Sequence, residues 1–297
     1  MIVDFHTHTF PDAIAQGAVD KLKRASHTRP FSDGTVGGLR ASMAAAGIGA
    51  SLVLPVATSP RQVIHVNDAS IRMNERAGDT RVYSFGCMHP DFPDWRDELA
   101  RVARAGLRGI KIHPPYQGVD VDDARYLRIL SRAGEMDLTV VTHAGLDVGL
   151  PGAEHSTPEK LLRAAKAVGP VRLVCAHMGG WRCWDRVEAL LPQTKVYLDA
   201  SFALGPMTPL GDGFYPDEKS LQMLGEEQFL RLVRLFGADR VLFGTDSPWA
   251  DQAAYLGRIR ALPLTAEEKR LILGANAARL LGIPCDESKG QTENGRE

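Results

Sequence analysis

The feature that most constrains this chain is an alternation. Short apolar runs biased toward β-branched residues lie near residues 2–6, 51–56, 82–88, 109–113, 138–143, 171–177, 195–200 and 240–245. Between them apolar residues recur at helical spacing, in segments 63–77, 95–105, 122–135, 158–168, 181–191 and 226–236, while Leu39, Met43, Ala46 and Ile48 lead into the second run. Pro60 stands where a first helical turn tolerates proline. Gly47, Gly106, Gly134, Gly169 and Gly237 stand where helices often end in a left-handed residue. Such alternation predicts parallel strands joined by crossover helices. Eight units in 297 residues fit an α/β fold, a single-domain (β/α)8 TIM barrel over residues 1–284. A doubly wound open sheet is the alternative. It would ordinarily show a Gly-rich phosphate loop after the first strand, where this chain has His-Thr-His-Thr-Phe-Pro. Residues 285–297 are polar and without apolar periodicity, as expected of a disordered tail. The longest irregular segment, Ser201 to Ser220, is either a functional loop or a passive insertion.

In such a barrel, chemistry collects at the C-terminal ends of the strands. The first strand ends in His6 and His8. Strand side chains alternate faces with period two, which predicts Asp4, His6 and His8 on one face. The two imidazoles are then about 6.5–7 Å apart at Cα, close enough to share one ion. The fourth strand ends in Lys111 and His113, the fifth in His143, the sixth in His177 and the eighth in Asp246. One such histidine is easily a hydrogen-bonded core residue. Five strands each delivering a ligand-type residue to one rim predict a metal site, and open N and O ligation suits Zn²⁺, with Mn²⁺ or Fe²⁺ as alternatives. His113, Tyr116 and Trp249 follow strands four and eight and are expected to shape a substrate pocket. His27, His65 and His155 read as surface groups, and His89 as part of a His-Pro turn. Met178-Gly179-Gly180 either offers backbone N–H groups to an anion or simply makes a turn.

These residues resemble the metal-dependent amidohydrolase superfamily. The stretches HTHTFPD, GIKIHP, AHMGG, FGTDSPW and the late Asn276-Ala277 before Leu280-Leu281 are similar to its amidohydrolase-related branch, which includes aminocarboxymuconate semialdehyde decarboxylase-like enzymes. The resemblance runs from Ile2 to about Ile283. It implies that His6, His8, His143 and Asp246 hold one divalent ion, and that Asp246 also accepts a proton from the nucleophilic water. His177 is implied either to bind a second ion or to polarise a substrate carbonyl. In binuclear members a lysine at the position of Lys111 is carboxylated and bridges two ions; decarboxylase-like members lack it. Lys111 therefore either bridges two ions, or stays an amine that pairs with Asp4 or Asp246 or binds an anionic substrate. One or two ions follow accordingly.

The physical logic agrees. A divalent ion makes water acidic enough to attack near neutral pH, and an adjacent carboxylate can carry the proton. The expected function is hydrolysis of a small organic molecule at an amide, lactone or related C–N or C–O bond. A metal-dependent non-oxidative decarboxylase on the same scaffold is the first rival. A metal-free, phosphate-binding barrel lyase or isomerase is the second, and a metal-binding protein without turnover the third. Lys plus Arg number 35 against 36 Asp plus Glu, so no basic excess points to nucleic acid or membrane partners. The expected partner is a small-molecule substrate, with homo-oligomerisation open. Four cysteines without CxxC spacing, and a first strand that begins at residue 2, lead to the expectation of a cytoplasmic protein.

Overall fold

The structure, a computed structural model, describes residues 1–284; the expected tail at 285–297 lies outside the described residues. Nine strands are present among the described residues: β1 Val3–Thr7, β2 Ala50–Val53, β3 Val82–Ser84, β4 Gly86–Cys87, β5 Gly109–Ile112, β6 Thr139–Thr142, β7 Arg172–Cys175, β8 Tyr197–Asp199 and β9 Val241–Leu242. All are parallel, in the orders β1-β2-β3 and β4 through β9. β3 and β4 share one barrel position, interrupted at Phe85, whose N–H donates to Val53 O at 3.1 Å. The ring closes where Phe5 N donates to Phe243 O at 2.8 Å and His8 N to Ser247 O at 2.7 Å. This is the expected TIM barrel. Its first and last strands meet at that seam.

Two apolar clusters build it. Val3, Phe5, Leu52, Val141, Val174 and Leu242, from β1, β2, β6, β7 and β9, and Phe85 between β3 and β4 form one buried cluster. Ala277, Leu280 and Leu281 of the C-terminal helix Asn276–Leu281 join them. The second cluster lies between strands and helices. Helix Ala124–Glu135 shows why these segments are helical. Asp123 caps it, accepting from Arg125 N at 2.8 Å. Tyr126, Ile129, Leu130 and Ala133, spaced i, i+3, i+4, i+7, form its buried face.

Several boundaries differ from the sequence expectation. Gly134 does not end its helix; Asp137 takes the left-handed conformation instead, at φ 56°. A Cβ on Gly134 would stand 2.3 Å from Pro170 O, so close helix–loop packing requires glycine there. The segment expected from Trp181 becomes helical only at Trp184. Trp181 is drawn into a bridge with Gly145, its N–H donating to Ala144 O at 2.8 Å. Between β1 and β2 the expected helical segment is helix Val36–Ala46, and a second helix, Asp12–Ser26, precedes it where the sequence reading placed none. The irregular segment after β8 is tied down: Leu210 N donates to His27 O at 2.8 Å, and Tyr215 Oη to Ser26 O at 2.7 Å. No helix among the described residues is long and apolar enough to cross a membrane.

Candidate metal centre

β1 delivers its histidines by an irregular route. Its register against β2 slips between Asp4 and Thr7, which marks a bulge. A bulge inserts one residue and re-aims the side chains that follow. Asp4 is therefore not on the histidine face. It is wholly buried elsewhere, accepting from Thr245 N at 3.0 Å, Thr245 Oγ1 at 2.6 Å and Gln252 Nε2 at 2.7 Å. His6 and His8 share a face as expected, their Nε2 atoms 3.2 Å apart.

The ring nitrogens that face away fix both tautomers. His8 Nδ1 lies 2.9 Å from Leu54 O, so it carries the hydrogen. His6 Nδ1 lies 2.9 Å from Asp199 Oδ2 and 2.9 Å from Ser201 Oγ. Both Nε2 lone pairs then point at a common space. Asp246 Oδ1 closes the trio, 2.9 Å from His8 Nε2 and 3.4 Å from His6 Nε2. Ligands about 2.0–2.1 Å from a tetrahedral ion stand roughly 3.3 Å apart. The donor set thus fits a single divalent ion, and Asp199 supplies the carboxylate that such a histidine characteristically holds on its far nitrogen.

Around this trio sit the other rim residues. Lys111 Nζ is 3.5 Å from His6 Nε2. Burial pushes its pKa down to about 8, opposed by Asp199, Asp246 and Asp147. It forms no ion pair among the described residues, so the expected pairing with Asp4 or Asp246 does not occur. His143 is not part of the trio. Its Nε2 faces Leu146 O at 3.0 Å and its Nδ1 faces His177 Nε2 at 3.2 Å, while His177 Nδ1 faces Ser201 O at 2.9 Å. Each ring therefore gives its hydrogen to a backbone carbonyl and turns a lone pair toward the other. Burial pushes both pKa values down to about 4, helped by Lys111 for His143 and by His143 for His177.

His177 and Asp246 also share a backbone feature. Their φ angles are 57° and 64°, in the left-handed region, where non-glycine residues are uncommon and cluster at functional sites. For Met178-Gly179-Gly180 the N–H groups are spent: they donate to Asp199 O at 2.6 Å, Ala176 O at 3.0 Å and His177 O at 3.3 Å. The turn has no donors left for a phosphate, and the metal-free phosphate-binding reading loses its anchor.

Of the expected pocket residues, Tyr116 stacks on His113 at 4.1 Å between centroids, and His113 on His143 at 4.4 Å. Trp249 lies apart, in a cleft beside helix Gln252–Ala261. Two acids were not expected. Asp199, the last residue of β8, supports His6. Asp147 is buried in the loop after β6, its Oδ2 3.6 Å from His113 Nε2 and 3.8 Å from His143 Nε2. Together with His113 and His143 it makes a second group with metal-ligand geometry. Burial raises its carboxyl above the ordinary range.

A model of the amidohydrolase family matches residues 3–283. No curated protein matches the sequence. An uncharacterised TIM-barrel protein from Bordetella bronchiseptica superposes with TM-score 0.72 at 18% identity, covering 95% of this chain and 98% of that one. 5-Carboxyvanillate decarboxylase from Novosphingobium aromaticivorans, complexed with manganese and 4-hydroxy-3-methoxy-5-nitrobenzoic acid, superposes with TM-score 0.68 at 16% identity, covering 95% and 96%. A protein from Pseudomonas putida assigned as a 2-pyrone-4,6-dicarboxylic acid hydrolase superposes with TM-score 0.62 at 20% identity, covering 96% and 98%. At these identities the likeness is one of fold.

Proposed function

The chain belongs to the amidohydrolase family and is an enzyme of that superfamily; on that premise we propose that it is a metal-dependent hydrolase of a small organic substrate, cleaving an amide, lactone or related C–N or C–O bond. The observation that carries this reading is the convergence of His6 Nε2, His8 Nε2 and Asp246 Oδ1 on one point. The ion is Zn²⁺, with Mn²⁺ or Fe²⁺ the alternatives. His6, His8 and Asp246 would hold it, and a bound ion would supply Lewis acidity toward a carbonyl and toward water near neutral pH.

The chain's own groups manage the protons. Burial alone would raise the Asp246 carboxyl, but positive charge in the trio, carried by protonated rings without an ion or by the ion itself, outweighs it and holds its pKa well below the usual range. Asp246 is thus a carboxylate, able to accept the proton of the attacking water and return it to the leaving group. His177, with its Nδ1 hydrogen given to Ser201 O, presents Nε2 as a further acceptor; a proton taken there is shared with His143 Nδ1. His113 and Tyr116 wall the site. Lys111 is either a bridging ligand or a substrate-binding amine. The site takes a small-molecule substrate, and the three cysteines among the described residues, buried and unpaired, accord with a reducing cytoplasm.

The second reading is non-oxidative decarboxylation at the same centre. Lys111 bears on it in two ways: a buried amine beside the trio suits a substrate carboxylate, whereas the decarboxylase-like members that the sequence resembles lack a lysine there. The Novosphingobium neighbour is such a decarboxylase. Mass spectrometry of products from metal-loaded protein, incubated with amides, lactones and aromatic carboxylates, tests both. Addition of water across a C–N or C–O bond supports hydrolysis. Release of CO2 with no hydrolysis of any panel member overturns it in favour of the second reading.

A further inference from the structure

A cleft of about 210 Å³ lies outside the trio, between Phe31, the segment after β8 and helix Gln252–Ala261. Its walls are Phe31, Phe202, Met207, Met223, Trp249 and Tyr255. Aromatic and thioether groups of this kind form an adaptable apolar lining. Pockets for drug-sized ligands measure roughly 300–1,000 Å³, so this smaller space suits one ring with a short arm. At its polar end is Arg258, half-buried, with Nη1 3.2 Å from Leu204 O and 3.4 Å from Pro206 O. Those contacts are to neutral carbonyls. Arg258 is in no ion pair among the described residues, and a guanidinium on an apolar cleft is matched to a planar anion. Asp251 also borders the cleft. It lies seven residues earlier, about 10 Å along the helix axis, and its carboxylate is engaged as the helix cap, accepting from Ala254 N at 2.8 Å.

The cleft is preformed, and its walls are tied to the metal centre through the backbone. Tyr255 Oη accepts from Ala203 N and Leu204 N, both at 3.0 Å, and donates to Ala200 O, which pins the wall to the helix. Phe202 directly follows Ser201, whose hydroxyl touches His6 and His177. Trp249 N donates to Asp246 O at 2.9 Å, and Phe31 N to Pro248 O at 2.7 Å.

We infer that this cleft binds an apolar, ring-sized group ending in an anion, with Arg258 holding the anion, and that this group is the end of the substrate remote from the reacting bond. The second clause rests on the hydrolase reading; binding in the cleft does not. The test is calorimetric titration of the metal-loaded protein with phenylacetate and with phenylacetamide, its neutral counterpart. Wild type should bind phenylacetate at least tenfold more tightly. Arg258→Gln should erase that gap, and Arg258→Lys should restore part of it, which separates charge from support of the loop. Ala254→Trp, an exposed helical position on the cleft wall, should weaken both ligands with metal content unchanged. Equal affinity for the two ligands in wild type overturns the inference. So does a preference that survives Arg258→Gln, or phenylacetate affinity that Ala254→Trp leaves unchanged, since the acid is then held elsewhere. Failure of the metal centre would show in metal content and leave these titrations unaltered.

Discussion

At the scale of a residue, Asp246 closes the trio, and on the proposed mechanism it also carries a proton. Asp246→Asn keeps an oxygen ligand and loses the base. Turnover should fall about 10²–10⁴-fold, far more than metal content measured by elemental analysis; near-normal turnover in a metal-loaded variant would remove Asp246 from the proton path. His8→Ala should release metal under dialysis against a chelator that leaves wild type loaded. Asp199→Asn, which exchanges the carboxylate behind His6 Nδ1 for an amide, should weaken metal affinity about 10–100-fold, read by competition with a chelator of known affinity. The rim positions of His6, His8, His143, His177 and Asp246 were legible in the sequence because each closes an apolar run, the signature of a strand mouth; that His143 stands outside the trio was not. Asp199 closes the seventh run in the same way. Its purpose is a contact between the first and seventh runs, which no local pattern records. Asp147 stands in a loop with no periodicity, and only the fold brings it to His113 and His143.

At the scale of an element, β1 and the glycines of the helices decide what the barrel tolerates. Period-two reasoning put Asp4 with the histidines, and the bulge undid it: one extra residue sends Asp4 to Thr245 and Gln252 and leaves His6 and His8 facing the centre. The strands and most helices were legible from spacing. Helix Asp12–Ser26 was not, because its buried positions, Ala15, Val19 and Ser26, are few and weakly apolar. Two glycine substitutions should have opposite signs. Gly257, in helix Gln252–Ala261, has nothing within 4 Å of a built Cβ. Gly257→Ala should stabilise by ~0.5–1 kcal/mol through helix propensity. Gly134→Ala would gain the same propensity but sets its methyl against the Pro170 carbonyl, and should destabilise by about 1–3 kcal/mol net. Denaturant midpoints at unchanged slope read both; a stabilised Gly134→Ala would show that the packing against Pro170 yields freely.

At the scale of the whole molecule, the open quantity is the number of ions the rim holds. The trio accounts for one. His143 Nδ1 and His177 Nε2, with lone pairs facing each other at 3.2 Å, must share either a proton or a second cation. Lys111 decides between these. If its amine takes up CO2 it becomes an anion able to bridge two ions; as an ammonium it repels a second dication, the more so as the site dries. Metal stoichiometry of wild type against Lys111→Met is the measurement. Two ions falling to one on substitution would support the bridge, and one in both proteins would rule it out. Whatever the number, the seam where β1 meets β9 sets an order in time. Asp246 reaches the histidines only when the last barrel strand closes on the first. At about 5–20 residues per second, a ribosome needs roughly ten to fifty seconds to travel from one to the other. During that interval the nascent chain exposes a pair of imidazoles and no finished cage. A chain halted before Asp246 is therefore expected to hold metal far more weakly than the completed protein, so that capture of the ion marks the end of synthesis rather than its beginning.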